Sequence, residues 1–139
     1  MEAFVLDASV ALSWCFPKDP TENTPYSRAI LNLLEEADAL VPEIWPFEIA
    51  NSLVISFEKR KRITEQQIRE YVELLSSLPI RIERRDWLAN IAMESLARKH
   101  HLTAYDIAYL DLAMRHRLPL ATLDRHLKKA ALAEGLALI

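Results

Sequence analysis

The 139-residue chain predicts a three-layer α/β/α sandwich around a mostly parallel sheet of five strands. Short apolar runs alternate with longer amphipathic segments along the chain. Each strand candidate is separated from the next by helical material, which is the connection a parallel pair needs and which implies right-handed crossovers. The starts of the helices are also well marked.

In chain order, AFVL (3–6) is the first strand candidate, and a helix begins soon after Asp7. Thr24-Pro25 opens another helix as N-cap and first-turn proline. ALV (39–41) is the second strand, and Pro46 starts a long apolar helix behind it. Thr64 and Gln67 form a capping box, IRI (80–82) is the third strand, and Asp86 caps the helix that follows. LTAYDIAYLDLA reads as a further helix, LPLAT (118–122) as the fourth strand and LALI (136–139) as the fifth.

A chain of this length is most simply one domain over residues 1–139, able to bury roughly 70% of the surface its unfolded form would expose. A composition 51% hydrophobic and 27% charged, with no signal-peptide pattern and no long apolar run, points to a cytoplasmic protein without a membrane role. Cys15 is the only cysteine, which excludes an internal disulfide and a thiolate metal cluster, and it reads as a small buried hydrophobe. Gly135 is the only glycine, which excludes phosphate-binding loops and dinucleotide fingerprints that need several. The net charge of -3 conceals a division: residues 1–48 carry -7 and residues 49–139 carry +4. Lys59, Arg60, Lys61 and Arg62 form the longest basic run, with Arg84, Arg85, Lys128 and Lys129 beyond it. Each of these, taken alone, reads as a solvated helix end sooner than as a nucleic-acid contact.

Open parallel sheets place ligands beyond the carboxyl ends of their strands. Asp7 follows the first strand directly, Asp124 comes two positions after the fourth, Asp106 lies in the first turn of LTAYDIAYLDLA, and Glu48 in the first turn of the helix begun at Pro46. Any one of them has a simpler role, as an N-cap or as a charge answering the helix dipole. Four on one rim are harder to explain that way. Two carboxylates about 5 Å apart repel by roughly 3 kcal/mol at an effective dielectric near 20, and a bound cation reverses that sign. An all-oxygen donor set suits Mg²⁺, or Mn²⁺ in its place, better than zinc. Ser9, Asn51, Thr103 and Thr122 lie within three residues of these acids and are placed to orient them, although local capping would also explain the three hydroxyls. Asp111 falls about 140° round the helix from Asp106 and points elsewhere. His100 and His101 end a helix and receive no catalytic role, and Trp14, Trp45 and Trp87 are read as core.

VLDASVAL, PFEIAN, LTAYDIAYLDLA and LATLD, in this order, resemble the PIN domain, and among PIN domains the VapC-type ribonuclease toxins of toxin-antitoxin modules. The likeness covers essentially the whole chain. It implies that Asp7, Glu48, Asp106 and Asp124 are the family's acidic quartet, supported by Ser9, Asn51, Thr103 and Thr122. It further implies hydrolysis of RNA at an Mg²⁺ or Mn²⁺ site, leaving a 5′-phosphate and a 3′-hydroxyl, with Lys59, Arg60, Lys61 and Arg62 on the phosphate backbone. Three other readings compete: a silent PIN scaffold that only binds, an α/β interaction module in which the acids are only caps, and a phosphatase with Asp7 as nucleophile, although the D-x-D expected of the last is D-x-S here. The helix from Trp45 to Lys61 bears Phe47, Ile49, Ala50, Leu53, Val54, Ile55 and Phe57, an apolar face wider than the usual stripe. A partner should cover part of it, and the resemblance implies a homodimer and a VapB-type antitoxin.

Overall fold

The computed structural model describes residues 1–139. β1 (Ala3–Leu6) shows no alternation: Phe4, Val5 and Leu6 are all fully buried, as a strand covered on both faces requires. Its neighbours are β2 (Asp38–Pro42) on one side and β4 (Leu120–Ala121) on the other, with β3 (Ile80–Glu83) beyond β2. All three pairings are parallel and the order is β3-β2-β1-β4. Leu6 stands level with Ala121, so the carboxyl ends of β1 and β4 finish side by side.

Four strands form the sheet rather than five. The LALI segment at 136–139 reaches it only through one parallel bridge, Leu138 to Leu120, and its backbone bonds to the sheet converge on Leu120. The reason lies in β4, which is two residues long. Pro119 and Ala121 bond to β1, Thr122 turns away from the ladder, and only Leu120 is left to pair outward.

The helices are α1 (Ala8–Ser13), α2 (Pro25–Leu33), α3 (Trp45–Val54), α4 (Glu65–Ser76), α5 (Trp87–Ala92), α6 (Glu94–His100), α7 (Ala104–His116) and α8 (Arg125–Ala133). They cover both faces of the sheet, giving the expected three layers. α7 is the inner helix: Ile107, Ala108, Tyr109, Leu110, Leu112 and Ala113 are buried, and it packs across β1, β2 and β4. Thr24 and Thr64 cap α2 and α4 through reciprocal boxes with Ser27 and Gln67. Asp86 stands at the N-cap position of α5, but its side chain makes no capping bond. A π-helical turn, Ile55–Lys59, prolongs α3 and is capped by Arg60, after which Lys61 takes a left-handed φ of 50°.

Trp14 and Trp45 are core residues, as expected, but Trp87 is 66% exposed. It sits on a six-residue helix at the β3 edge of the sheet, where Leu88 and Ile91 are exposed beside it and nothing packs over them. No helix is long and apolar enough to cross a membrane.

Candidate functional site

In the order β3-β2-β1-β4 the chain runs outward from β1 to β2 and β3 and then returns to the other side of β1. The connections therefore part between β1 and β4, and a ligand crevice is expected at the carboxyl ends of those two strands. Asp7 and Thr122 lie there. The Asp7 amide bonds to the Ala121 carbonyl at 3.0 Å, which ties the aspartate to the end of the ladder. The residue is 6% exposed and its carboxylate makes no cap bond to α1, so it is not the simple N-cap its position allows. Instead Oδ2 accepts the hydroxyls of Ser9 and Thr122, each at 2.6 Å, and no protein group donates to Oδ1. The same two hydroxyls accept backbone amides, Ser9 from Leu123 at 3.0 Å and Thr122 from Asp124 at 3.1 Å. Two side chains thus join the ends of β1 and β4 and hold one face of the carboxylate.

Burial raises the Asp7 pKa; the Ser9 and Thr122 bonds oppose the shift, and the charges of Asp106 and Asp124 add to it. Glu48, in the first turn of α3, accepts the Tyr109 hydroxyl at 2.5 Å on Oε1. Its pKa is also raised, by burial first, against the Tyr109 bond and with the charges of Asp7 and Asp106. Asp106, in the first turn of α7, gives its amide to the Thr103 hydroxyl at 3.2 Å, and the same hydroxyl steadies its carboxylate. Burial and the Asp124 charge raise it. Asp124 does cap α8, with Oδ1 taking the amides of His126 and Leu127, and Oδ2 has no protein partner.

The four acids therefore share one electrostatic neighbourhood, and none of the chain's ion pairs involves any of them. Asp111, five residues along α7, is treated differently: Arg85 and Arg115 pair with it at 2.6 and 2.8 Å. No three of the acidic, histidine or cysteine side chains converge as ligands of a single point. The donor set still fits Mg²⁺, which is commonly held by one or two carboxylates and otherwise by water and substrate phosphate. Carboxylate oxygens without protein partners, on groups whose charged form is already disfavoured, are what such an ion would compensate.

Asn51, by contrast, is exposed and bonds to none of the acids. In the basic run, Arg62 spans Asp19 and Glu22 at 3.4 Å and lies 4.2 Å over the Phe16 ring, whereas Lys59, Arg60 and Lys61 are exposed and unpaired. Tyr109 was not foreseen. Its spacing of three from Asp106 puts both on one helix face, but a tyrosine within an apolar helix reads as core.

Fold and site together define a parallel α/β protein with an acidic cluster at the sheet's switch point. A family model for the PIN domain matches residues 4–132, and the chain belongs to that family. No curated protein matches it in sequence. Among solved structures it is similar to PAE2754 from Pyrobaculum aerophilum (21% identity, 93% of this chain and 79% of that one, TM-score 0.64). It is also similar to VapBC2 from Rickettsia felis bound to a promoter DNA fragment (13%, 99% and 97%, 0.64). A third is FitAcB from Neisseria gonorrhoeae (21%, 98% and 96%, 0.62).

Proposed function

We propose that this chain is a divalent-cation-dependent endoribonuclease of the VapC toxin type, cytoplasmic and neutralised by a VapB-type antitoxin. The observation that carries the reading is the buried Asp7 carboxylate, fixed by Ser9 and Thr122 with one oxygen left open, among three further acids that form no ion pair. Membership of the PIN family supports nuclease chemistry, and similarity to the VapBC2 and FitAcB structures supports the toxin-antitoxin setting.

Asp7, Glu48, Asp106 and Asp124 would hold Mg²⁺ or Mn²⁺ between them. The ion, when bound, supplies Lewis acidity for attack on phosphorus and offsets charge on the departing oxygen. Ser9 and Thr122 keep Asp7 from turning into the ladder, and Tyr109 keeps Glu48 directed into the cluster. Lys59, Arg60, Lys61 and Arg62 would take phosphates remote from the cut.

Phe47, Ala50, Val54 and Phe57 are exposed at spacings of three, four and three along α3 and its π turn, a seam suited to a helix from a second copy or from the antitoxin. Phe47 alone is 72% exposed.

The test is incubation of the purified chain with cellular RNA and Mg²⁺ or Mn²⁺. Cleavage that EDTA abolishes and that is missing in Asp7→Asn is expected. RNA left intact by well-folded protein under every cation tried would favour the silent scaffold.

A further inference from the structure

α8 opens with the sequence RHLKK, residues 125–129. The amino end of a helix carries the positive pole of its dipole, so cations there are disfavoured. Arg125 nevertheless opens α8, and Lys128 and Lys129 follow within one turn. None of the three makes an ion pair, although carboxylates without ion pairs lie at the same edge of the sheet, and only the His126 charge reaches Asp106 from this helix. The Asp124 side chain already takes the amides of His126 and Leu127, so an anion at this end would be held by side chains rather than by backbone.

Lys128 has a defined direction. Its ammonium lies 5.8 Å from the centroid of the Tyr26 ring, in cation-π range. The hydroxyl at the far end of that ring is buried without a hydrogen-bond partner, near the Thr122 backbone and within the field of Asp7. The Lys128 charge thus stands one aromatic ring from the candidate centre. The Lys59–Arg62 run begins eleven residues beyond Glu48, roughly 16 Å along the helix axis.

We propose that Arg125, Lys128 and Lys129 hold the phosphate backbone of the substrate strand on the nucleotides flanking the cut, with Tyr26 fixing the direction of Lys128. This inference rests on the nuclease reading above. It is tested by titrating the full chain against a labelled single-stranded RNA of mixed sequence, in EDTA, over a range of salt. Arg125→Gln, Lys128→Gln and Lys129→Gln are combined in one variant, and Lys59→Gln, Arg60→Gln and Lys61→Gln in a second. Thermal melts check that both are folded.

Each phosphate that the protein no longer neutralises lowers the slope of log affinity against log salt by roughly 0.7, so the α8 variant should show a slope shallower by about 2 units. That corresponds to about a hundredfold weaker binding near 0.1 M salt, with a smaller weakening in the second variant. Wild-type affinity in the α8 variant, or a larger weakening in the second, would overturn the track while leaving RNA cleavage by the wild type standing. A wild type that neither binds nor cuts RNA would overturn the track and the nuclease reading together.

Discussion

At the scale of single residues, the Asp7 carboxylate and its two hydroxyl partners carry the account. Asp7→Asn keeps the shape of the side chain but removes its charge, so RNA cleavage should fall by at least the ~10- to 100-fold expected for Ser9→Ala or Thr122→Val, which remove only orienting groups. Tyr109→Phe leaves a half-buried Glu48 oxygen without its donor and should cost about 1–3 kcal/mol in a denaturant melt. The pH dependence has a definite sign. Asp7, Glu48 and Asp106 have folded-state pKa values raised by burial, so the fold favours their protonated forms. Their contribution is fully present below the unfolded values, 3.8 for Asp and 4.5 for Glu, and is lost as pH rises through the folded ones. Cation-free Asp7→Asn should therefore melt no lower than wild type near neutrality, with the difference growing in its favour from about pH 4 upward. A wild type that gained on the variant over that range would contradict this. The D-x-S spacing made Ser9 legible because its partner is two residues away. Thr122 was legible only as a neighbour of Asp124, since its bond to Asp7 crosses 115 positions and needs the β1–β4 pairing.

At the scale of elements, α7 should be the least forgiving. Leu110 is fully buried, and Leu110→Ala should cost about 2–5 kcal/mol. Trp87→Ala on α5 should change stability by less than about 0.5 kcal/mol, despite the larger side chain, because nothing packs over it. Paired melts of the two variants check the contrast. Helix starts were legible where a side chain performs the capping, as at Thr24 and Thr64, because that chemistry is local. The exposure of Trp87 was not, since composition reports how apolar a helix is and not whether another layer reaches it. The fifth strand failed for a related reason: LALI has strand chemistry, but pairing depends on the length of β4, which Thr122 cuts short.

For the whole molecule, the layer order and the rim that bears the acids followed from alternation and the parallel-sheet rule, while the crevice between β1 and β4 required the strand order. Assembly belongs to this scale. Sedimentation at micromolar concentration should give a dimer, and Phe47→Glu should shift it toward monomer without lowering the melting temperature, because Phe47 is largely exposed. The central claim is that Asp7, Glu48, Asp106 and Asp124 form one cation site, and thermal melting of wild type and Asp7→Asn across a Mn²⁺ titration at neutral pH tests it most directly. Stabilisation of wild type that follows the binding curve, reaching about 2.7 kcal/mol at a hundred times the dissociation constant, with little or none in the variant, is the predicted result. Equal shifts in both proteins, or no shift in either, would contradict it.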